Sequence, residues 1–380
     1  MITLVLKWQN QQQEITFPCS DEELQAKLSE LCPIDPTPAE FFAVSVKEPS
    51  ALFLMEEKYL NPDEVNYLAK RMESFDYKEL RQFYAAAEQE GYASPANLIN
   101  LTFNLQRYTL IQDLSNMESV GKTHYLNTHG VILEDERNRI DFATIGKELI
   151  YCGNGIATEY GLLFKNDEIP FHEVYNGKTF PEYYYDHCLV TATVEYNGNT
   201  EYLYLPCGDI AITKAIWRVG ANSVDEPDIC LTDINMNSPA WFGRLKQILH
   251  DGNIYDVNQV VDAIDTADMD LKKLEAVMEY AKQDSPAGIA AVANHMDYFI
   301  FLPGIEGDDE IAEHFINQRP EYALHSDMED YFDFDGFGQH LAAEMDGRFV
   351  SSGFVCMAED CYLENVLQGI EDQDLHIVSM

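Results

Sequence analysis

Apolar residues recur at helical spacing near the start of the chain. Val65, Leu68, Met72 and Phe75 follow one another at i, i+3, i+7 and i+10, which places them in one stripe on a helix. The stripe is preceded by Asn-Pro-Asp-Glu from Asn61, a sequence that offers an N-cap, a proline at the first helical position and acids in the first turn. This pattern predicts a helix whose apolar face belongs to a core.

A matching stripe lies far along the chain, at Leu271, Leu274, Met278 and Ala281. Four pairs of segments are similar at an offset of about 190 residues that drifts by only a residue or two, and this nearly constant offset indicates an internal duplication. The pairs are NPDEVNYLAKRMESF with NIYDVNQVVDAIDTA, SPANLINLTFNLQRYTL with SPAGIAAVANHMDYFIF, HYLN with HFIN, and IDFATIGKELIYCGNGIATEYGLL with YFDFDGFGQHLAAEMDGRFVSSGFV.

Alternating apolar and polar residues precede each copy. ITLVLKWQNQQQEITFPC and CLVTATVEYNGNTEYLYLPC both alternate around a polar turn, which predicts β-hairpins. The predicted fold is therefore α+β and elongated, with several small α/β modules in a tandem duplication. The predicted modules are a β-rich module over 1–58, a helical module over 59–170 (copy one), a second β-rich module over 171–250 and an acidic module over 251–380 (copy two).

The charge balance narrows the function. The chain has 66 acidic and 24 basic residues, a net charge of −42, and residues 251–380 alone hold 29 acids against 5 bases. Such a surface repels nucleic acid and anionic membranes and attracts basic proteins. The sequence has no secretory leader, no long apolar run and no CxxC pair, which predicts a cytoplasmic protein with free thiols.

Known chemical motifs fit poorly. DFDG from Asp333 places acids at positions 3 and 5 of a calcium loop, but Tyr331 and Ala342 occupy positions 1 and 12. NMESVGKT ends like a phosphate-binding loop, but Asn116 stands where the leading glycine belongs. No nucleophile, zinc or dinucleotide signature is present. We therefore predict a protein that is not an enzyme and has no cofactor and no metal.

The acids themselves match a known ligand. A surface selected only for solubility mixes both signs of charge, because like charges oppose folding. B-DNA carries one negative charge per ~1.7 Å of its axis, so 42 charges correspond to the phosphates of roughly twenty base pairs. A folded chain that displays such charge is suited to the positive groove of a DNA-binding protein. Among the acids, Tyr331, Phe332, Phe334 and Phe337 are predicted to supply buried anchors.

FIFLPGIEGDDEIAEHFINQ, FDFDGFGQHLAAEMDGRFVSSGFV and NPDEVNYLAKRM together resemble the ArdA-type antirestriction proteins. The resemblance is clearest over 250–356. It implies an acidic DNA mimic, carried by a mobile genetic element, that binds and blocks type I restriction–modification enzymes. The resemblance marks six carboxylates as phosphate-mimicking positions: Asp308, Asp309, Glu310, Glu313, Asp333 and Asp335. We add the neighbouring acids and the two acids that follow Asn61. The predicted partner-binding residues are Glu306, Asp308, Asp309, Glu310, Glu313, Asp327, Glu329, Asp330, Asp333, Asp335, Asp63 and Glu64.

The chain departs from that family in two ways. Family members are commonly half this length and dimerise, so the fused pair is either an intrachain pseudo-dimer or part of a homodimer. A further alternative is that only copy two carries the mimicry. Copy one is also less acidic, with Lys122, Arg137, Arg139 and Lys147 among its charges. Two other functions stay open: an acidic scaffold or chaperone-like binder of basic proteins, and a metal-dependent hydrolase that uses clustered carboxylates.

Overall fold

The computed structural model describes residues 1–32, 40–134, 139–183, 188–236, 238–318, 324–325, 331–358 and 361–367. Over these residues the protein consists of short helices and small sheets of three or four strands, so the predicted α+β class is confirmed. The chain divides into two compact units. The first comprises Met1–Asp186, Glu195–Tyr202 and Thr213–Ala221, and the second comprises His187–Val194, Leu203–Ile212 and Asn222–Met380. The four predicted module boundaries stay a prediction.

The first unit opens with a β-hairpin and a helix, followed by a helical segment that ends in a second sheet. The sheet orders are β2-β1-β3-β4 and β5-β7-β6. The elements are β1 Ile2–Trp8, β2 Gln11–Phe17, α1 Asp21–Leu31, β3 Phe41–Glu48, β4 Tyr59–Leu60, α2 Pro62–Glu73, α3 Tyr77–Glu90, α4 Pro95–Thr102, β5 Tyr108–Ile111, α5 Met117–His129, α6 Phe142–Cys152, β6 Ile156–Thr158 and β7 Gly161–Lys165.

The remaining elements run in a similar order. Their sheets have the orders β10-β8-β9 and β11-β13-β12. The elements are β8 Val190–Tyr196, β9 Asn199–Leu205, α7 Asp209–Val219, β10 Asp228–Ile234, α8 Pro239–Asp251, α9 Ile254–Thr266, α10 Leu271–Ala281, α11 Pro286–Ala293, β11 Phe299–Pro303, α12 Asp308–Gln318, α13 Phe334–Glu344, β12 Arg348–Val350 and β13 Gly353–Met357.

The order of elements from α2 to β7 recurs from α9 to β13. Helices α2 and α9 begin at residues 62 and 254, and strands β7 and β13 begin at residues 161 and 353, so both pairs are 192 residues apart. Each of these segments ends in a sheet whose last strand lies between the other two. The paired sequence segments therefore form paired elements.

The apolar stripes are largely buried, as their spacing predicts, although Phe75 lies beyond the end of α2 and is half-buried. Val65, Leu68 and Met72 on α2 are buried, as are Leu274 and Met278 on α10. The predicted cap at Asn61 is confirmed, because its side chain accepts the N–H of Asp63, and Ser285 caps α11 by accepting the N–H of Gly288. Ser94, at the corresponding start of α4, makes no side-chain cap bond.

Residues 166–183 follow β7 without regular structure, yet they are fixed by hydrogen bonds. The Asn100 side-chain oxygen accepts the N–H groups of Val174 and Tyr175 at 2.7 and 2.8 Å, and its amide donates to the Tyr175 carbonyl at 2.9 Å. Asn104 makes the same kind of exchange with the backbone of His172. This segment is therefore part of the first unit and is not a free tether.

Candidate functional site: an acidic helical hairpin

Helices α12 and α13 form a packed pair, here called the acidic hairpin. Its apolar side chains point into a local core with the neighbouring sheet, and its acids remain outside. Because the apolar faces of both helices are used for packing, their charged residues are left on the opposite faces. The buried core residues are Leu302, Ile311, Phe315, Leu341, Phe354 and Cys356.

The start of α12 carries most of the acids predicted to imitate phosphates. Asp308 is half-buried, whereas Asp309, Glu310 and Glu313 are exposed. Acids in a first helical turn are stabilised by the positive end of the helix dipole. The Glu310 carboxylate also accepts the N–H of Glu306 at 2.7 Å, so it caps the turn that leads into the helix. The local fold thus holds several negative charges within two helical turns.

The start of α13 adds two more exposed carboxylates. Asp333 is the N-cap, and its side chain accepts the N–H of Gly336 at 2.9 Å. Asp335 follows in the first turn. The DFDG sequence is therefore a capped helix start in this structure, and Asp141 caps α6 in the same way by accepting the N–H of Thr144.

Three of the four predicted aromatic anchors contact one another, but none of the four is fully buried. Phe332 contacts Phe334 and Phe337 edge to face, with ring centroids 5.0 and 5.4 Å apart, and all three are half-buried. Tyr331 is 86% exposed, so the prediction of a buried role is wrong for this residue. It lies two residues before Asp333, the N-cap of α13.

Two predicted site residues in copy one make contacts inside the first unit. Asp63 forms an ion pair with Lys214 Nζ at 2.7 Å. Glu64 accepts a hydrogen bond from the Tyr175 hydroxyl at 3.0 Å, and burial raises the pKa of its carboxyl. Both carboxylates are engaged within the fold, so they are left out of the surface proposed below. Asp327, Glu329 and Asp330 lie outside the described residues.

Basic residues do not neutralise the acidic hairpin in the part of the chain that the structure describes. The ion pairs of copy two there are Glu344 with His340 and Asp346 with Arg348, at the far end of α13 and just beyond it. None of the described ion pairs involves the carboxylates at the starts of α12 and α13. The negative field of this surface is therefore not cancelled locally.

Helices α5 and α6 are the copy-one counterpart of the acidic hairpin. Asn116 caps α5 by accepting the N–H groups of Glu118 and Ser119, so NMESVGKT is a helix start and not a phosphate-binding loop. Lys122 Nζ pairs with Glu118 at 2.5 Å. Helix α5 therefore carries a base as well as an acid, and the copy-one hairpin has charges of both signs.

No protein-family model matches the chain, and no curated protein matches it. The resemblance to the ArdA type therefore depends on the sequence motifs alone. Over the described residues, His, Cys, Asp and Glu do not form a group of three or more that could hold a metal ion. None of the described helices combines the length and apolar character needed to cross a membrane.

Sequence reasoning missed a buried charge cluster in the first unit. Lys214, only 3% exposed, donates to Asp21 at 3.1 Å and to Asp63, and nearby Arg218 donates to Glu201 at 3.0 Å. Burial raises the pKa of Glu201 to about 6, although the charge of Arg218 opposes that shift. The sequence does contain a signal for this cluster. Two basic residues, Lys214 and Arg218, lie in the largely apolar segment IAITKAIWRV, although basic residues are scarce in this chain.

Proposed function

We propose that this protein is an antirestriction protein of the ArdA type, which imitates DNA and occupies the DNA-binding groove of a type I restriction–modification enzyme. The observation that carries the proposal is the acidic hairpin, whose exposed carboxylates at the starts of α12 and α13 form no ion pair with a described basic residue. The whole chain that carries this hairpin has a net charge of −42. The sequence resemblance supports the same conclusion independently.

The mechanism follows from electrostatics. A basic groove gains affinity for DNA because its Lys and Arg side chains release the counterions condensed on the phosphates, and it attracts negative ligands from a distance. Carboxylates held on two short helices present a comparable negative field. They offer the enzyme no DNA backbone to cleave and no nucleobase to methylate. The inhibitor needs no catalytic step, because occupancy of the groove excludes DNA.

Competition for a purified type I methyltransferase tests the proposal. Labelled duplex DNA is bound to the enzyme, and its displacement by this protein is measured by fluorescence anisotropy at low and at higher salt. The affinity of the enzyme for the duplex alone is measured at each salt concentration, because duplex binding itself weakens as salt rises. We expect the affinity of the enzyme for this protein, calculated with that correction, to weaken as salt rises too, because exposed charges are screened. A protein that never displaces the duplex contradicts the proposal.

Matched variants locate the active surface. Asp309→Asn with Glu313→Gln removes two charges from the acidic hairpin, and Glu118→Gln with Glu148→Gln removes two exposed charges from its copy-one counterpart. We expect only the first pair to weaken displacement. Equal effects of both pairs indicate a general charge effect, as does equally tight binding to unrelated basic proteins, and both results favour an acidic scaffold over a DNA mimic.

A further inference from the structure

Gly338 lies at the closest point between the two helices of the acidic hairpin. It is buried on α13 and packs against the first turn of α12 at Asp308. A β-carbon at this position would collide with the carbonyl oxygen of Asp308. Any residue other than glycine therefore forces α13 away from the start of α12, where the acids are concentrated.

Copy one keeps this close packing but not the charges. Gly146 on α6 packs against the carbonyl oxygen of Met117, the first residue of α5, and a β-carbon there would collide in the same way. Gly121 makes a similar approach to Phe142. The two hairpins thus share a glycine-dependent geometry, although only the second carries a dense set of acids. A comparison of the two hairpins can therefore separate the effect of the close helix packing from the effect of the acids.

We infer that Gly338 is a positioning residue that fixes the separation between the carboxylates at the start of α12 and those at the start of α13. The inference rests on the proposed function. A groove shaped for a phosphate backbone has its cations at set spacings, so the match requires both sets of carboxylates at once. Moving α13 outward would leave the number of charges unchanged but would misplace Asp333 and Asp335 relative to Asp309.

The test compares Gly338→Ala with Gly146→Ala, in the full chain, by displacement of duplex DNA from a type I methyltransferase. Both variants introduce the same collision, so we expect both to lower the melting temperature. Only Gly338→Ala should weaken displacement, by about tenfold, the combined effect of two misplaced surface charges. Its binding should also depend less steeply on salt, which a purely structural loss of stability does not produce.

Normal displacement by folded Gly338→Ala overturns the inference, as does equal weakening by both variants. If Gly338→Ala does not fold, Leu341→Val loosens the same hairpin core without a collision, and Leu149→Val is its matched control in copy one. Normal displacement by folded Leu341→Val then overturns the inference. Failure of the unmodified protein to displace DNA contradicts the proposed function itself, so the two failures are distinguishable.

Discussion

The side-chain amide of Asn66 exchanges two hydrogen bonds with the backbone of Cys19, and the same pairing recurs between Asn258 and Cys207. In copy one both distances are 3.0 Å. In copy two they are 2.9 and 2.6 Å. Each pair joins the end of a β-hairpin to the first helix that follows in the repeat, at a buried asparagine. The duplicated sequence thus preserves a specific polar contact as well as an order of elements.

Replacing Asn66 by Ala should lower the free energy of unfolding by about 1–3 kcal/mol, because the half-buried backbone N–H and carbonyl of Cys19 lose their partners. Asn258→Ala should have an effect of similar size. Urea denaturation followed by circular dichroism measures both. Gln12→Ala, on the exposed face of β2, is the control and should change little. A cost below about 0.5 kcal/mol for both asparagines would contradict a structural role.

Lys214→Met should destabilise the first unit by about 3 kcal/mol, since Asp21 and Asp63 would each lose a buried cation. Adding Asp63→Asn should recover part of the loss, because one uncompensated charge is removed with it. A double-mutant cycle by chemical denaturation gives the coupling. The control is Lys27→Met, which removes an exposed i,i+4 pair with Glu23 and should cost less than about 0.5 kcal/mol.

The buried carboxyl of Glu201 should make stability depend on pH. Its pKa of about 6 in the folded protein lies above the ordinary value of 4.5. Its stabilising contribution is therefore complete below pH 4.5 and is lost as pH rises through 6, by about 2 kcal/mol. We expect the unfolding free energy of the native chain, minus that of Glu201→Gln, to fall between pH 4 and 7. A difference that stays constant or rises would refute the assignment.

Asp333 both caps α13 and carries a negative charge, and two substitutions distinguish these roles. Asp333→Asn removes the charge but keeps an oxygen that accepts the N–H of Gly336, whereas Asp333→Ala removes both. Only the alanine variant should lose about 1 kcal/mol of stability. Both should weaken displacement of DNA from the target enzyme by a similar small amount, below about 1 kcal/mol, because a charged surface distributes its energy over many residues. Unchanged displacement by both variants would exclude Asp333 from the interface.

Asn100→Ala should release the segment 166–183. The substitution removes three hydrogen bonds to the backbone of Val174 and Tyr175. Limited proteolysis should then cut this segment faster than in the native protein, because cleavage requires local opening. Asn176→Ala lies in the same segment and bonds only locally, to the N–H of Lys178, so it should leave the cleavage rate unchanged.

The sequence alone predicted the α+β class, the pairing of segments and the apolar faces of α2 and α10. These features depend on local periodicity and on similarity between distant segments, which are visible without coordinates. The excess of acids and its concentration in the last third were visible in the same way. The partner itself stays a prediction, because charge alone identifies a class of ligand and not one protein.

Only the tertiary structure separated exposed acids from engaged ones. Asp63 and Asp309 look alike in sequence, since each occupies the first turn of a helix, yet Asp63 meets Lys214 from a distant part of the chain and Asp309 meets solvent. Likewise, the sequence does not distinguish Gly338 from the other glycines, and only the packing of α13 on α12 shows that a side chain cannot fit there. Local sequence determines which residues a helix presents, but long-range packing decides what those residues face.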